Sequence, residues 1–92
     1  MLKETKQFTF YGHVQGVGFR YTCRRLAQKF ALTGWVKNEL DGTVTVVVQG
    51  PAKKIQRFLL GLTRQSYLAG LIADFDEETV AKASYPDFRV VY

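Results

Sequence analysis

An α+β sandwich, one antiparallel sheet with two helices on a single face, is the fold class the sequence predicts. Three observations carry it. Segments of two-residue and of helical periodicity follow one another in the order strand, helix, strand, strand, helix, strand. Both helical segments carry an apolar stripe on one side only, so each needs a sheet face to cover it. The chain has 92 residues, 47% of them hydrophobic, which is enough for one core and too little for two. Residues 1–92 are therefore expected to form a single domain.

The first strand is read from Gln7 to Val14, where alternation puts Phe8, Phe10 and Val14 on the core face. A glycine-bearing turn, Gln15-Gly16-Val17-Gly18, leads into a helix whose stripe is Cys23, Leu26, Ala27 and Phe30, with Gly34 placed to stop it. Trp35 to Asn38 reads as the second strand, Asp41-Gly42 as a hairpin turn, and Thr43 to Gln49 as a β-branched third strand. Gly50-Pro51 opens the second helix, with proline near its first position and Ile55, Phe58, Leu59 and Leu62 as its stripe. The remainder is read as a fourth strand from Tyr67 to Phe75 despite Gly70, a solvated acidic turn at Asp74, Asp76, Glu77 and Glu78, and a short last strand from Phe88 to Tyr92. The order βαββαβ is the split βαβ, or ferredoxin-like, sandwich. That architecture hosts many functions, so the site must decide.

Composition narrows the classes. No apolar run approaches the roughly 18–20 residues that span a bilayer, and Met1 to Lys6 has no apolar signal core, so neither a membrane nor export is expected. The lone Cys23 forms no internal disulfide and no zinc cluster, which favours a reducing compartment, with the cytoplasm as the expectation. The net charge is +5, and it is uneven: Met1 to Arg64 carries 11 basic and 3 acidic residues, Gln65 to Tyr92 carries 2 and 5. A basic majority suits an anionic partner, whether nucleic acid, membrane surface or small phosphorylated metabolite.

The turn after the first strand selects among these. It delivers Phe19-Arg20 to a helix start, where unpaired N–H groups and the positive end of the helix dipole face outward. Gly16 and Gly18 lack Cβ atoms, so the backbone can curl its amides around one oxyanion, and Arg20 can add a two-point fork. Glycines alone favour a plain tight turn, and the arginine at the turn weakens that reading. No Gly-Lys pair exists for a nucleotide P-loop, and Tyr21 stands where the dinucleotide fingerprint needs its third glycine, so neither ATP nor NAD is implied. Asn38 shares strand parity with Val36, and a polar amide on the covered face needs a reason, unless it merely bonds backbone at a strand end. With the first and second strands parallel and the third between them, roughly 10 Å separates their ends, and Arg20 and Asn38 can converge on one small ligand.

These residues resemble the acylphosphatases. The resemblance lies in Gly12-His13-Val14-Gln15-Gly16-Val17-Gly18-Phe19-Arg20, in Gly34-Trp35-Val36-Lys37-Asn38 with Asp41-Gly42-Thr43-Val44, and in Gln49-Gly50-Pro51. It implies a metal-independent, cofactor-free hydrolase that splits small acyl phosphates into carboxylate and inorganic phosphate. It also implies that the phosphate-binding loop Gln15, Gly16, Val17, Gly18, Phe19 and Arg20 holds the phosphate, with Arg20 and Asn38 catalytic and Asn38 orienting the attacking water. His13 stands where the family often has arginine, and Gln65-Ser66-Tyr67 where it often has Gly-Pro after the second helix. A monomer is expected.

The chemistry accounts for the missing acid–base set. An acyl phosphate leaves as a carboxylate of pKa roughly 4, so it departs without a general acid. Positioning a water in line and stabilising the phosphoryl oxygens remain, and amides, one arginine and one carboxamide suffice. Cys23 on the apolar stripe reads as structural, Lys53, Lys54 and Arg57 as a solvent face, Trp35 and Tyr11 as cover for the open sheet face, and the lone His13 as a surface or open-face residue. An RNA-recognition module shares the element order but needs aromatics on its third strand, where Thr43 to Val48 offers none, so no nucleic acid is expected. A family domain turned into a ligand-sensing module is the remaining alternative, and retention of both Arg20 and Asn38 speaks against it.

Overall fold

The computed structural model describes residues 3–81 and 83–92. Along the chain run β1 (Lys3–Gly12), α1 (Phe19–Lys29), β2 (Thr33–Asn38), β3 (Val44–Pro51), α2 (Ala52–Leu60), β4 (Ile72–Thr79) and β5 (Phe88–Val91). The strands form one sheet in the order β4-β1-β3-β2-β5. Alternation decides its inner face. Phe8 and Phe10 of β1, Val36 of β2 and Val44, Val46 and Val48 of β3 form one buried cluster with Cys23 and Ala27 of α1 and Ile55 and Phe58 of α2. Both helices therefore cover the same side of the sheet.

Registers confirm the pairing logic. β3 lies between β1 and β2 and is antiparallel to both, with Phe10 opposite Val44 and Asn38 opposite Val44 on the other side. Central placement explains why Val44 to Val48 is buried without interruption: neighbours cover both edges, and residues facing away from the helices are flanked by Gln7 and Trp35.

The expected antiparallel sheet is a mixed one. β5 adds to β2 in parallel, from Gly34 opposite Phe88 to Lys37 opposite Val91. The chain reaches that far edge by crossing the end of the sheet. Val80 N–H donates to Thr5 O (3.2 Å), Gln49 Nε2 donates to Ala83 O, and Gly34 N–H donates to Asp87 O (2.9 Å). This parallel addition carries the C-terminal residues to the same end of the sheet as the turn after β1.

The fourth strand also lies later than Tyr67 to Phe75. Past α2 the chain continues as a π-helical turn, Gly61–Gln65. Thr63 and Ser66 hydroxyls donate back to Leu59 O and Leu62 O, each at 2.7 Å, and Leu68 plugs the core. Only then does β4 begin, and the acidic residues expected in a turn, Asp74, Asp76, Glu77 and Glu78, lie within it. They are tolerated because β4 is an edge strand whose side chains reach water, and their charge discourages further pairing.

Gly34 does not end α1. The helix stops at Lys29, and Ala31 takes the left-handed turn (φ 55°) while Leu32 N–H donates to Ala27 O (2.8 Å). Gly34 belongs to β2 at φ 138°, where a Cβ would drive into the Val47 carbonyl of β3. Close approach of two strands, and not helix termination, requires this glycine.

Candidate active site

The site begins where β1 runs out. Phe10 packs on Phe19 with ring centroids 5.1 Å apart, which fixes the first residue of α1 on the sheet. Between them Gly16 (φ 74°) and Gly18 (φ 81°) take left-handed conformations, and Gly18 serves as N-cap of α1 without a side-chain cap. No acidic residue stands in the first turn of α1. The helix thus presents its positive end and its free amides without an internal anion to neutralise them.

The loop is held from behind. Thr22 donates to Gly18 O through both its N–H and its hydroxyl, each at 3.0 Å. Gln15 Nε2 donates to Glu39 O (2.7 Å) and Thr43 O (2.9 Å), tying the loop to the hairpin that follows Asn38.

A cleft of about 500 Å³ opens in front of this turn, lined by Val14, Gly16, Gly18, Phe19, Arg20 and Asn38. Arg20 and Asn38, 18 residues apart in sequence, thus face one space. The Arg20 guanidinium lies over the Tyr92 ring, 4.8 Å from its centroid, and makes no ion pair among the described residues, so its donor fork is free for a ligand. Asn38 Oδ1 is buried and, among the described residues, is the one buried side-chain polar atom without a hydrogen-bond partner. It does not bond local backbone. An acceptor left in that condition costs about 1–3 kcal/mol.

The model of the Acylphosphatase family matches residues 6–90. The chain belongs to the acylphosphatase family. It is 40% identical over 82 residues to an acylphosphatase of Lactobacillus gasseri, covering 88% of this chain and 90% of that protein. It is 39% identical over 94 residues to acylphosphatase-2 of Mus musculus, covering 99% and 89%. The crystal structure of acylphosphatase from Bacillus subtilis superposes with a TM-score of 0.86 at 30% identity, covering 99% of this chain and 100% of that one. The protein is accordingly an acylphosphatase hydrolase with the family's ferredoxin-like α+β fold, acting on small acyl phosphates.

Of the loop residues expected to hold phosphate, Gly16, Gly18, Phe19 and Arg20 line the cleft, whereas Gln15 and Val17 do not. The Gln15 side chain is a strut to the hairpin, and Val17 packs half-buried on the core. The cleft also contains residues that sequence reasoning missed. Tyr21 and Arg24 come from the exposed side of α1, and Arg89 and Tyr92 come from β5 and the residue after it. Arg24 could have been found, since it stands one turn past Arg20 on the same helix. Nothing local marks Arg89 or Tyr92, whose placement depends on the parallel pairing of β5. Asp87 lies in the cleft too, but its carboxylate is occupied by Arg89 Nε at 2.8 Å, leaving the cleft net positive.

Cys23 is fully buried among core residues, and burial pushes its thiol well above the usual range, so it stays protonated at neutral pH. His13 is exposed, its backbone N–H donating to Leu71 O (2.9 Å). Lys53, Lys54 and Arg57 form the solvent face of α2. Tyr11 donates to Asp76 on the open face (2.7 Å). Replacing Cys23 by alanine is expected to leave the turnover number within about twofold and to cost roughly 1 kcal/mol in urea unfolding, since only a sulfur is removed from the core. Loss of turnover with stability intact would instead make the thiol part of the chemistry.

Proposed function

We propose that the cleft hydrolyses acyl phosphates by direct attack of one water, without metal or cofactor. The phosphoryl group sits against the loop amides that border the cleft at Gly16, Gly18, Phe19 and Arg20, with Gly16 and Gly18 allowing the close approach and the Arg20 guanidinium gripping two oxygens. Asn38 holds the water. The single observation that carries this assignment is that Arg20 and Asn38 line one cleft together with Gly16 and Gly18 of the loop. The Asn38 carboxamide offers both an N–H donor and an oxygen acceptor, so it can hold a water in one orientation without acting as a base.

The water oxygen forms the new bond to phosphorus while the bond between phosphorus and the acyl oxygen breaks, its electron pair leaving with the carboxylate. One water proton remains on inorganic phosphate and the other passes to solvent. The phosphoryl oxygens meet amide donors already in place in the bound substrate and in the transition state alike, and the acceleration comes from a water held in line and from the Arg20 fork. The leaving carboxylate needs no proton, which is why this chemistry can do without a metal or a general acid. The enzyme acts as a single-domain monomer in the cytoplasm. No helix among the described residues is long and apolar enough to cross a membrane.

Inorganic phosphate, product and substrate mimic at once, is expected to inhibit competitively and to raise the melting temperature. At tenfold excess over its dissociation constant the native state gains about 1.4 kcal/mol by linkage. Thermal shift and steady-state inhibition measured on one preparation check this. Phosphate that neither inhibits nor stabilises at millimolar concentration would remove the loop as the phosphate site.

A further inference from the structure

We infer that Tyr67 is a positioning residue for the phosphate loop, setting the direction of the Gly18 amide; this rests on the phosphate-site reading above. Tyr67 lies far from the loop in sequence and outside every strand and helix, in the turn between the π-helical segment and β4. Its ring is 66% exposed, so hydrophobic burial does not fix it. Yet its hydroxyl donates to Val17 O at 2.5 Å.

The position of that bond gives it a consequence. In a trans peptide the carbonyl of Val17 and the N–H of Gly18 point in opposite directions. Tyr67 stands on the far side of the loop, where with Thr22, Arg25 and Lys29 it lines a separate groove, and it has no part in the lining of the Arg20 cleft. Holding the Val17 carbonyl toward Tyr67 therefore turns the Gly18 N–H toward the cleft. Thr22 fixes the next carbonyl, that of Gly18, in the same manner. Two successive peptide planes are thus clamped by their oxygens, which leaves their amides preorganised for an oxyanion.

Gly18 is constrained by the same contact. A Cβ there would lie 2.6 Å from the Tyr67 hydroxyl, in addition to the left-handed φ of 81°. The hydroxyl occupies the space a side chain would fill, so any larger residue at this position would have to displace it from Val17 O.

An amide that meets phosphate equally in the bound substrate and in the transition state affects both alike, so losing its alignment raises KM more than it lowers kcat. Tyr67→Phe is expected to raise both KM for a small acyl phosphate and the inhibition constant of inorganic phosphate by about five- to tenfold, with kcat within about twofold. The melting temperature should move by no more than a degree or two. Tyr67→Ala, which also removes the exposed ring, should show the same loss of phosphate affinity, because the hydroxyl alone does the positioning. In amide NMR spectra without phosphate, the Gly18 resonance should shift in both variants. Unchanged phosphate affinity in Tyr67→Phe, or a loss seen only in Tyr67→Ala, overturns the inference while leaving the acylphosphatase mechanism standing. Wild-type protein that neither turns over acyl phosphate nor binds phosphate overturns both.

Discussion

Arg20→Lys is expected to lose about a hundredfold to a thousandfold in kcat/KM for an acyl phosphate while keeping its fold. Charge is conserved in this variant, so the loss comes from geometry. The guanidinium offers a planar fork that spans two phosphoryl oxygens, whereas the ammonium is a point charge on a flexible four-carbon stem. Stability has little at stake. Arg20 is half-buried, stacks on an exposed Tyr92 and makes no ion pair among the described residues, so unfolding should move by under about 1 kcal/mol. Phosphate release and thermal unfolding measured together decide the matter. Near-normal turnover by the lysine variant would take Arg20 out of the reaction.

Asn38→Ala is expected to lower kcat by about a hundredfold and to change KM much less, since it removes the group that orients the nucleophile and none that grips the phosphate. Its stability should be unchanged or slightly higher. The Oδ1 it deletes is a buried acceptor without a protein partner, which costs the native state free energy and contributes no bond. Asn38→Asp keeps the shape but exchanges the N–H₂ donor for a carboxylate beside a phosphate dianion. Repulsion should then weaken phosphate binding as well as slow the chemistry. Inorganic phosphate as a binding probe separates the two effects. An alanine variant that keeps kcat and only raises KM would make Asn38 a binding residue instead of a water-positioning one.

Much of this site was legible because its residues are local to strong signals. Gly16, Gly18 and Arg20 stand at a strand-to-helix turn that alternation and the Cys23 to Phe30 stripe locate without help. Asn38 was legible by parity, as a polar residue in step with buried Val36. The second half of the molecule was less so. β4 was read too early because Tyr67 to Leu71 looks apolar and β-prone, while Leu68 is in fact the plug of a turn and the π-helical segment had consumed the residues before it. Acidic residues argue against a strand only when the strand is covered, and β4 is an edge. Arg89 and Tyr92 reach the cleft through a crossing along the end of the sheet that leaves no periodic trace. The Tyr67 contact with Val17 spans 50 residues and lies between two turns, where neither propensity nor spacing speaks.

The most direct test is turnover of a small acyl phosphate by wild-type protein in the presence of a metal chelator, set beside a phosphate monoester of similar size. Leaving-group chemistry predicts rapid release of phosphate from the acyl phosphate, unaffected by the chelator, and little or none from the monoester, whose alkoxide cannot depart without a proton or a metal. Equal rates on the two substrates, or an activity abolished by the chelator, would contradict a mechanism built from loop amides, Arg20 and a water held by Asn38.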